Sequence, residues 1–119
     1  MESINIAEKY GKFTAHWTPK IIAESNGQLV KLAKLKGDFI WHNHEAEDEL
    51  FMIMKGVLTI EFRDKSITLK EGEMIVVPKG VDHRPKAEGE AWVLLVEPVS
   101  TYHTGNVKSE RTVENQEWI

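Results

Sequence analysis

Three of the five histidines in this 119-residue chain fall in one stretch, together with a spaced glutamate. The four residues are His42, His44, Glu49 and His83. Imidazole nitrogens and carboxylate oxygens are ligands for divalent iron, manganese, nickel, copper and zinc. The chain has no cysteine, so disulfides and thiolate ligands are excluded. The residue types therefore predict one divalent transition metal, whose identity among these five the sequence leaves open.

The spacing of these residues suits a site built on strands. His42 and His44 are two residues apart, so on a strand both side chains project from one face, about 6.6 Å apart. A turn after His44 would bring Glu49 back beside the pair, and His83 would arrive from a distant strand. The histidine pair alone is a weak signal, because an exposed strand face can carry it. Four ligands on a six-coordinate metal would leave two positions for water, dioxygen or substrate.

The rest of the chain predicts a scaffold of short strands separated by turns that glycine marks. We expect strands at residues 20–25, 28–36, 39–44, 49–55, 57–63, 66–70, 73–77, 82–87 and 91–97. Asn26 and Gly27 between the first two strands indicate a two-residue hairpin, because both residues tolerate positive φ. Many short strands are typical of an all-β sandwich or barrel, and their pattern alone does not decide between the two.

The length fits a single domain. Helical spacing occurs only at residues 3–13, where Ser3 would cap one short helix and Gly11 would end it. We divide the chain into an N-terminal segment (residues 1–19), a β-barrel (20–98) and a C-terminal tail (99–119). The tail is polar and is expected to lie on the surface or on a partner.

Charge and hydropathy exclude several classes of partner. The formal net charge is −4, and Lys and Arg are dispersed among Asp and Glu, which argues against nucleic acid. The chain has no apolar run of about 18 residues or more, so no transmembrane helix and no membrane partner are expected. No secretory signal is visible, and we therefore expect a cytoplasmic protein.

The combined spacing resembles the two sequence motifs of the cupin superfamily. The first motif is Gly, five residues, His-x-His, three or four residues, Glu, six residues and Gly. The matching residues are His42, His44, Glu49 and Gly56, while Gly37 lies one residue too close. The second motif is Gly, five residues, Pro-x-Gly, two residues, His, three residues and Asn. The matching residues are Gly72, Pro78, Gly80 and His83, while Ala87 replaces the Asn.

The resemblance implies a small, single-domain jelly-roll β-barrel in which His42, His44, Glu49 and His83 bind the metal. It also implies a metal-dependent oxygenase, isomerase, epimerase or lyase that acts on a small molecule, with Glu49 as the candidate base. A non-catalytic module that binds or senses a small molecule is the alternative. Cupins of this kind are often labelled mannose-6-phosphate isomerase-like, but a sugar phosphate would need a cationic anchor in the pocket.

The residues that we assign to the barrel interior are mainly apolar. They are Ile40, Phe51, Ile53, Leu58, Ile60 and Phe62. Basic residues fall on the outward parity or at strand ends: Lys34, Arg63 and Arg84. An apolar pocket with one metal favours a small, mostly uncharged or chelating ligand. We interpret the remaining histidines, His16 and His103, as surface residues and Trp17, Trp41 and Trp92 as packing residues.

One strand face predicts self-association. Leu50, Met52 and Met54 alternate with Glu49 and would point outward, where exposed apolar patches usually mark an interface. Trp41 would extend this patch. We expect a homodimer with two-fold symmetry. Alternatively, the N-terminal segment or the tail covers the face within one chain.

Overall fold

The computed structural model describes residues 1–101, 105 and 115–119. These residues form one short helix and seven strands, which confirms the predicted all-β class. In chain order the elements are α1 (Ile6–Tyr10), β1 (Lys20–Ser25), β2 (Gln28–Asp38), β3 (Glu49–Lys55), β4 (Leu58–Phe62), β5 (Ser66–Leu69), β6 (Met74–Val77) and β7 (His83–Pro98). No helix in the described part of the chain is long and apolar enough to cross a membrane.

Strand β7 is the centre of the architecture. Its C-terminal half pairs with β2 on one side and β3 on the other, and its first residues pair with β4. One run of strands is therefore β1-β2-β7-β3-β6, while β4 and β5 extend from the other half of β7. All these pairs are antiparallel. Because β7 belongs to both parts of the sheet, the strands enclose one core in a jelly-roll barrel.

The structure corrects the prediction of two separate strands at residues 82–87 and 91–97. Residues 83–87 and 91–97 lie in one strand, β7, because β2 pairs with it on either side of the intervening residues 88–90. Gly37 opposes Ala87, and the register then shifts before Leu35, which opposes Ala91. The two positions that depart from the sequence motifs, Gly37 and Ala87, thus face each other in this ladder.

Local sequence signals account for the helix and the first hairpin. The cap of α1 is Asn5 rather than the expected Ser3, because the Asn5 side chain accepts a hydrogen bond from the Glu8 N–H at 3.1 Å. Gly11 ends the helix as predicted. Asn26 and Gly27 have φ values of 51° and 75° between β1 and β2, which confirms the two-residue hairpin.

Two apolar clusters stabilise the fold. The larger cluster fills the barrel and includes four predicted interior residues, Phe51, Ile53, Leu58 and Ile60. The other two, Ile40 and Phe62, pack against it and are partly buried. The smaller cluster lies between the N-terminal segment and the outside of β1, β2 and β7, and its buried members are Tyr10, Phe13, Ile22 and Leu32.

The described end of the C-terminal tail lies on the chain's own edge strand. The Ile21 N–H donates to the Glu117 carbonyl at 2.8 Å, and the Ile119 N–H donates to the Ile21 carbonyl at 3.0 Å. Lys9 Nζ also donates to the Ile119 carbonyl. These bonds cover backbone groups of β1 that an edge strand would otherwise expose.

Candidate metal centre

The segment that carries His42 and His44 lies between β2 and β3. Its prediction as a strand, residues 39–44, is wrong, because His42 alone forms a bridge there, antiparallel to His83. The His42 N–H donates to the His83 carbonyl at 3.0 Å, and the reverse bond is 2.9 Å. The bonds from Phe39 to Pro85 and from Gly80 to His44 are out of register with this bridge by one residue. A continuous ladder therefore does not form, although the segment lies alongside the start of β7.

The structure brings all four predicted ligands together. One donor atom from each of His42, His44, Glu49 and His83 lies within 4.8 Å of the others. Each of these residues is at most 3% exposed. Glu49 and His83 are the first residues of β3 and β7, so sheet pairing fixes their positions. The Glu49 Oε1 atom is 3.4 Å from His44 Nε2 and 3.6 Å from His83 Nε2.

Backbone carbonyls orient two of the imidazole rings. His42 Nδ1 donates to the Ile40 carbonyl and His83 Nδ1 donates to the Val81 carbonyl, both at 2.9 Å. Because a carbonyl only accepts, Nδ1 carries the proton and Nε2 is left as the ligand atom. The buried Nε2 atoms of His44 and His83 have no hydrogen bond within the described residues, although buried polar atoms are normally satisfied. This donor set fits a divalent transition metal.

Burial and neighbouring charges favour the metal-binding protonation states. Burial, and then the charge on His83, lower the pKa of His42 to about 4. Burial by itself would raise the pKa of Glu49, but its interaction with Glu97 and its contacts with His44 and His83 hold that pKa well below its usual value. Neutral imidazole and ionised carboxylate are the forms that bind metals.

Two buried charged residues behind Glu49 were not singled out in the sequence. Lys31 and Glu97 are 1% and 0% exposed, and the Lys31 Nζ donates to Glu97 Oε1 at 2.7 Å. Burial, and then the charge on Glu49, raise the pKa of Glu97 well above its usual value. Their positions along the strands could have revealed them, because residues two apart on a strand share a face. Lys31 is two residues from the inward-facing Ala33, and Glu97 is two residues from Leu95. The interior thus holds a lysine, but its Nζ is hydrogen-bonded to Glu97.

An apolar pocket opens onto the metal cluster. It contains about 370 Å³ of empty space, including its open mouth. His42 and Glu49 form part of its wall. The other lining residues are apolar or aromatic: Trp17, Pro19, Ala33, Leu35, Phe39, Phe51, Pro85, Val93 and Leu95. A molecule in this pocket would therefore lie against two of the four candidate ligands.

Trp17 is more than the packing residue that we expected from the sequence. Its ring stacks on Phe39 with centroids 4.6 Å apart, and both rings line the pocket. Its Nε1 donates to the Lys36 carbonyl at 2.8 Å. Its backbone has a φ of 57°, which is uncommon for a bulky residue, and its N–H donates to the Lys34 carbonyl. The sequence carries no periodic signal for this role, because Trp17 lies outside the strands.

The other histidines differ from the four clustered ones. His16 is exposed, with Nε2 2.7 Å from Glu90 Oε2, and is not part of the metal cluster. His103 lies outside the described residues.

Comparison with known proteins identifies the family. The family model described as "Cupin domain" matches residues 28–98. The chain belongs to the cupin superfamily. A similar curated protein is "Uncharacterized protein YdbB" of Bacillus subtilis (strain 168), which is 36% identical over 93 residues, covering 77% of this chain and 76% of that protein.

Solved structures show the same family likeness. A cupin-2 domain-containing protein from Shewanella frigidimarina NCIMB 400 is 48% identical, with a TM-score of 0.79 over 80% of this chain and 93% of that chain. Protein NMB1881 from Neisseria meningitidis is 38% identical, with a TM-score of 0.76 over 82% of this chain and 99% of that chain. These similarities extend over most of the cupin described here.

Proposed function

We propose that this cupin is a metal-dependent enzyme that acts on a small, mostly uncharged or chelating molecule. One divalent transition metal (iron, manganese, nickel, zinc or copper) would be held by His42, His44, Glu49 and His83. The observation that carries the proposal is that these four residues converge beside an apolar pocket, with His42 and Glu49 in its wall. A structural metal site is usually closed, whereas a catalytic one adjoins space for a substrate.

Residues around the proposed metal would have separate roles in orienting the ligands and in excluding water. The carbonyls of Ile40 and Val81 keep two imidazoles turned with Nε2 toward the cluster. Trp17, Phe39 and Phe51 would exclude water from the bound molecule, which strengthens polar interactions at the site. When bound, the metal would supply a Lewis acid or an oxygen-binding centre. The reaction classes that suit such a centre are oxygenation, isomerisation, epimerisation and lyase chemistry.

Metal analysis of the purified protein is the first test. We expect close to one equivalent of a transition metal per chain, either as purified or after reloading with each candidate metal. The loaded protein would then be offered small aliphatic and aromatic compounds while oxygen uptake and product masses are followed. Failure of every metal to bind at that ratio would overturn the proposal.

A non-catalytic binding module is the second candidate, and one observation favours it. Within the described residues, the titratable groups that line the pocket are His42 and Glu49, both of them candidate ligands. Glu49 also contacts Glu97, His44 and His83, which suits a fixed ligand better than a mobile base. Tight binding of one compound by the metal-loaded protein without product would support this alternative.

We also propose a homodimer with two-fold symmetry, formed through the outer face of β3, β6 and the end of β7. This apolar outer face consists of Leu50, Met52, Met54, Met74, Val76 and Val96. Leu50 pairs with Val76 on one side and Val96 on the other, so the three strands carry one continuous patch. Met54 is 37% exposed, and Met74 and Val76 are each 48% exposed. Exposed apolar patches of this kind mark interaction surfaces.

The described N-terminal segment packs on another part of the sheet, which supports the proposal that a partner covers this face. The N-terminal segment packs over β1, β2 and β7, where Tyr10 and Phe13 contact the cluster around Leu32. We leave Trp41 out of the face, because its ring lies 3.9 Å from the Arg63 guanidinium and 5.6 Å from that of Arg84. The cytoplasmic location stays a prediction from the sequence.

A further inference from the structure

We propose that Lys31 and Glu97 form a positioning pair for the metal ligand Glu49, in which Glu97 holds the Glu49 carboxylate and Lys31 holds Glu97. The inference rests on the metal centre proposed above and adds two residues that neither sequence motif contains. Neither residue is among the described residues that line the pocket. The pair would therefore act through Glu49 rather than by contact with a bound molecule.

The sheet places the three side chains in a row. Strand β7 lies between β2 and β3. Glu97 on β7 opposes Leu29 on β2, and Lys31 is two residues further along the same face of β2. On the other side, Leu50 of β3 opposes Val96, so the antiparallel register sets Glu49 opposite Glu97. Lys31, Glu97 and Glu49 thus cross three adjacent strands on the inner face of the barrel.

Stability alone does not account for charges at these positions. Lys31, Glu97 and Glu49 are at most 3% exposed, and buried charges lose the solvation that water would provide. An ion pair in such a place can often be replaced by apolar residues without loss of stability. Apart from these residues and the candidate ligand His83, the buried residues of β3 and β7 are apolar, as at Ile53 and Val93. What distinguishes the Lys31–Glu97 pair is that Glu97 lies opposite the candidate ligand Glu49 on the neighbouring strand.

The contacts suit orientation of the ligand carboxylate. One Glu97 oxygen accepts from Lys31 Nζ at 2.7 Å, which fixes the Glu97 side chain. The other Glu97 oxygen, Oε2, is buried and has no hydrogen-bond partner among the described residues, and the register sets the Glu97 side chain beside that of Glu49. Meanwhile Glu49 Oε1 faces the Nε2 atoms of His44 and His83. Partners that orient a ligand in this way typically change metal affinity by about 10–100-fold when they are removed.

Two substitutions of Glu97 separate a positioning role from a purely structural one. Glu97→Gln keeps an oxygen for Lys31 and an N–H donor for Glu49, and we expect it to retain Co²⁺ affinity within about threefold. Glu97→Leu removes both contacts, and we expect affinity to fall roughly 10–100-fold, with a shift in the Co²⁺ absorption bands. Affinity would be measured by competition with a chelator.

Because Glu97→Leu leaves Lys31 buried without its partner, the double variant Lys31→Met/Glu97→Leu is also needed. We expect its metal-free form to regain stability toward urea while Co²⁺ affinity stays low. The matched control is Lys34→Met, since Lys34 is a buried lysine on the same strand that donates to the Phe13 carbonyl instead. It should leave Co²⁺ affinity and the absorption bands unchanged.

Three results would overturn the inference: wild-type affinity and spectrum in the double variant, equal losses in Glu97→Gln and the double variant, or an equal loss in Lys34→Met. In each case the wild type still binds Co²⁺, so the proposed metal centre would survive. A wild-type protein that binds no Co²⁺ would overturn the metal centre and the positioning pair together.

Discussion

Strands β3 and β7 differ from the β4–β5 hairpin in how they distribute polar and apolar residues. In β4, Leu58 and Ile60 are fully buried, and the outward Thr59 pairs with Thr68 of β5. This is the usual alternation of an antiparallel sheet with one solvated face. In contrast, the inner face of β3 begins with the buried Glu49, and its outer face carries Leu50, Met52 and Met54.

Glu97 repeats this inversion at the end of β7, where it is fully buried between Val96 and Pro98. Both departures lower stability unless something compensates, since buried charges need partners and exposed apolar residues need cover. The β4–β5 hairpin thus contributes mainly to the core, whereas β3 and β7 carry the candidate site on one face and the candidate interface on the other.

Removal of one ligand should produce the largest effect on the β3–β7 side of this contrast. We expect His44→Ala to lower metal affinity by roughly 100-fold or more, because it deletes a direct ligand, while a change in an outer partner already costs about 10–100-fold. Metal content per purified chain, measured by mass spectrometry, should fall close to zero. His16→Ala and His103→Ala should retain wild-type content. Normal metal content in His44→Ala would contradict the ligand assignment.

On the β4–β5 side, a core substitution should affect stability alone. Leu58 is 0% exposed, and we expect Leu58→Ala to lower the free energy of unfolding by about 2–5 kcal/mol. Urea unfolding would measure this loss. The folded variant should bind metal as the wild type does, and Thr59→Ala, one residue along on the outward face, should change stability far less. A specific loss of metal affinity in Leu58→Ala would contradict the claim that the β4–β5 hairpin contributes to the core and not to the metal site.

The apolar outer face can be tested with a single charge. Met52 lies between Met74 and Leu94 across the strands, so Met52→Lys would place an ammonium group in the middle of the proposed interface. We expect the dissociation constant of the dimer to rise roughly tenfold or more, which corresponds to about 1.4 kcal/mol for each factor of ten. Light scattering at micromolar concentration would measure the change. Thr68→Lys, on the outward face of β5, is the control. A monomeric wild type would overturn the proposed dimer. A dimer that Met52→Lys does not weaken would mean that the interface lies on another surface.

The smallest effect is expected where the N-terminal segment completes the pocket. Trp17→Phe keeps an aromatic ring against Phe39 but removes the Nε1 bond to the Lys36 carbonyl. A lost hydrogen bond of this kind costs about 1 kcal/mol of unfolding free energy, which thermal or urea unfolding would detect. Metal content should not change. Metal loss in this variant would mean that Trp17 supports the ligands as well as the pocket wall.

Much of this cupin follows from local patterns. Alternation and turn residues predicted most of the strands, and Asn26 and Gly27 predicted their hairpin, because these signals depend only on neighbouring residues. The fixed spacing of His42, His44, Glu49 and His83 identified the residues that the structure brings together. The wrong strand predictions concern segments whose structure depends on pairing with distant strands. They are the continuous β7 and the irregular segment that carries His42 and His44.

Only the tertiary structure decided which residues surround the four candidate ligands. Lys31 and Glu97 are 66 residues apart in sequence and meet because β2 and β7 are adjacent strands. Trp17 reaches the pocket because the N-terminal segment folds against the barrel and stacks its ring on Phe39. By itself the sequence determined the fold class and the four converging residues, through periodicity and motif spacing. Contacts between distant strands depend instead on sheet order and register, which only the packed chain determines.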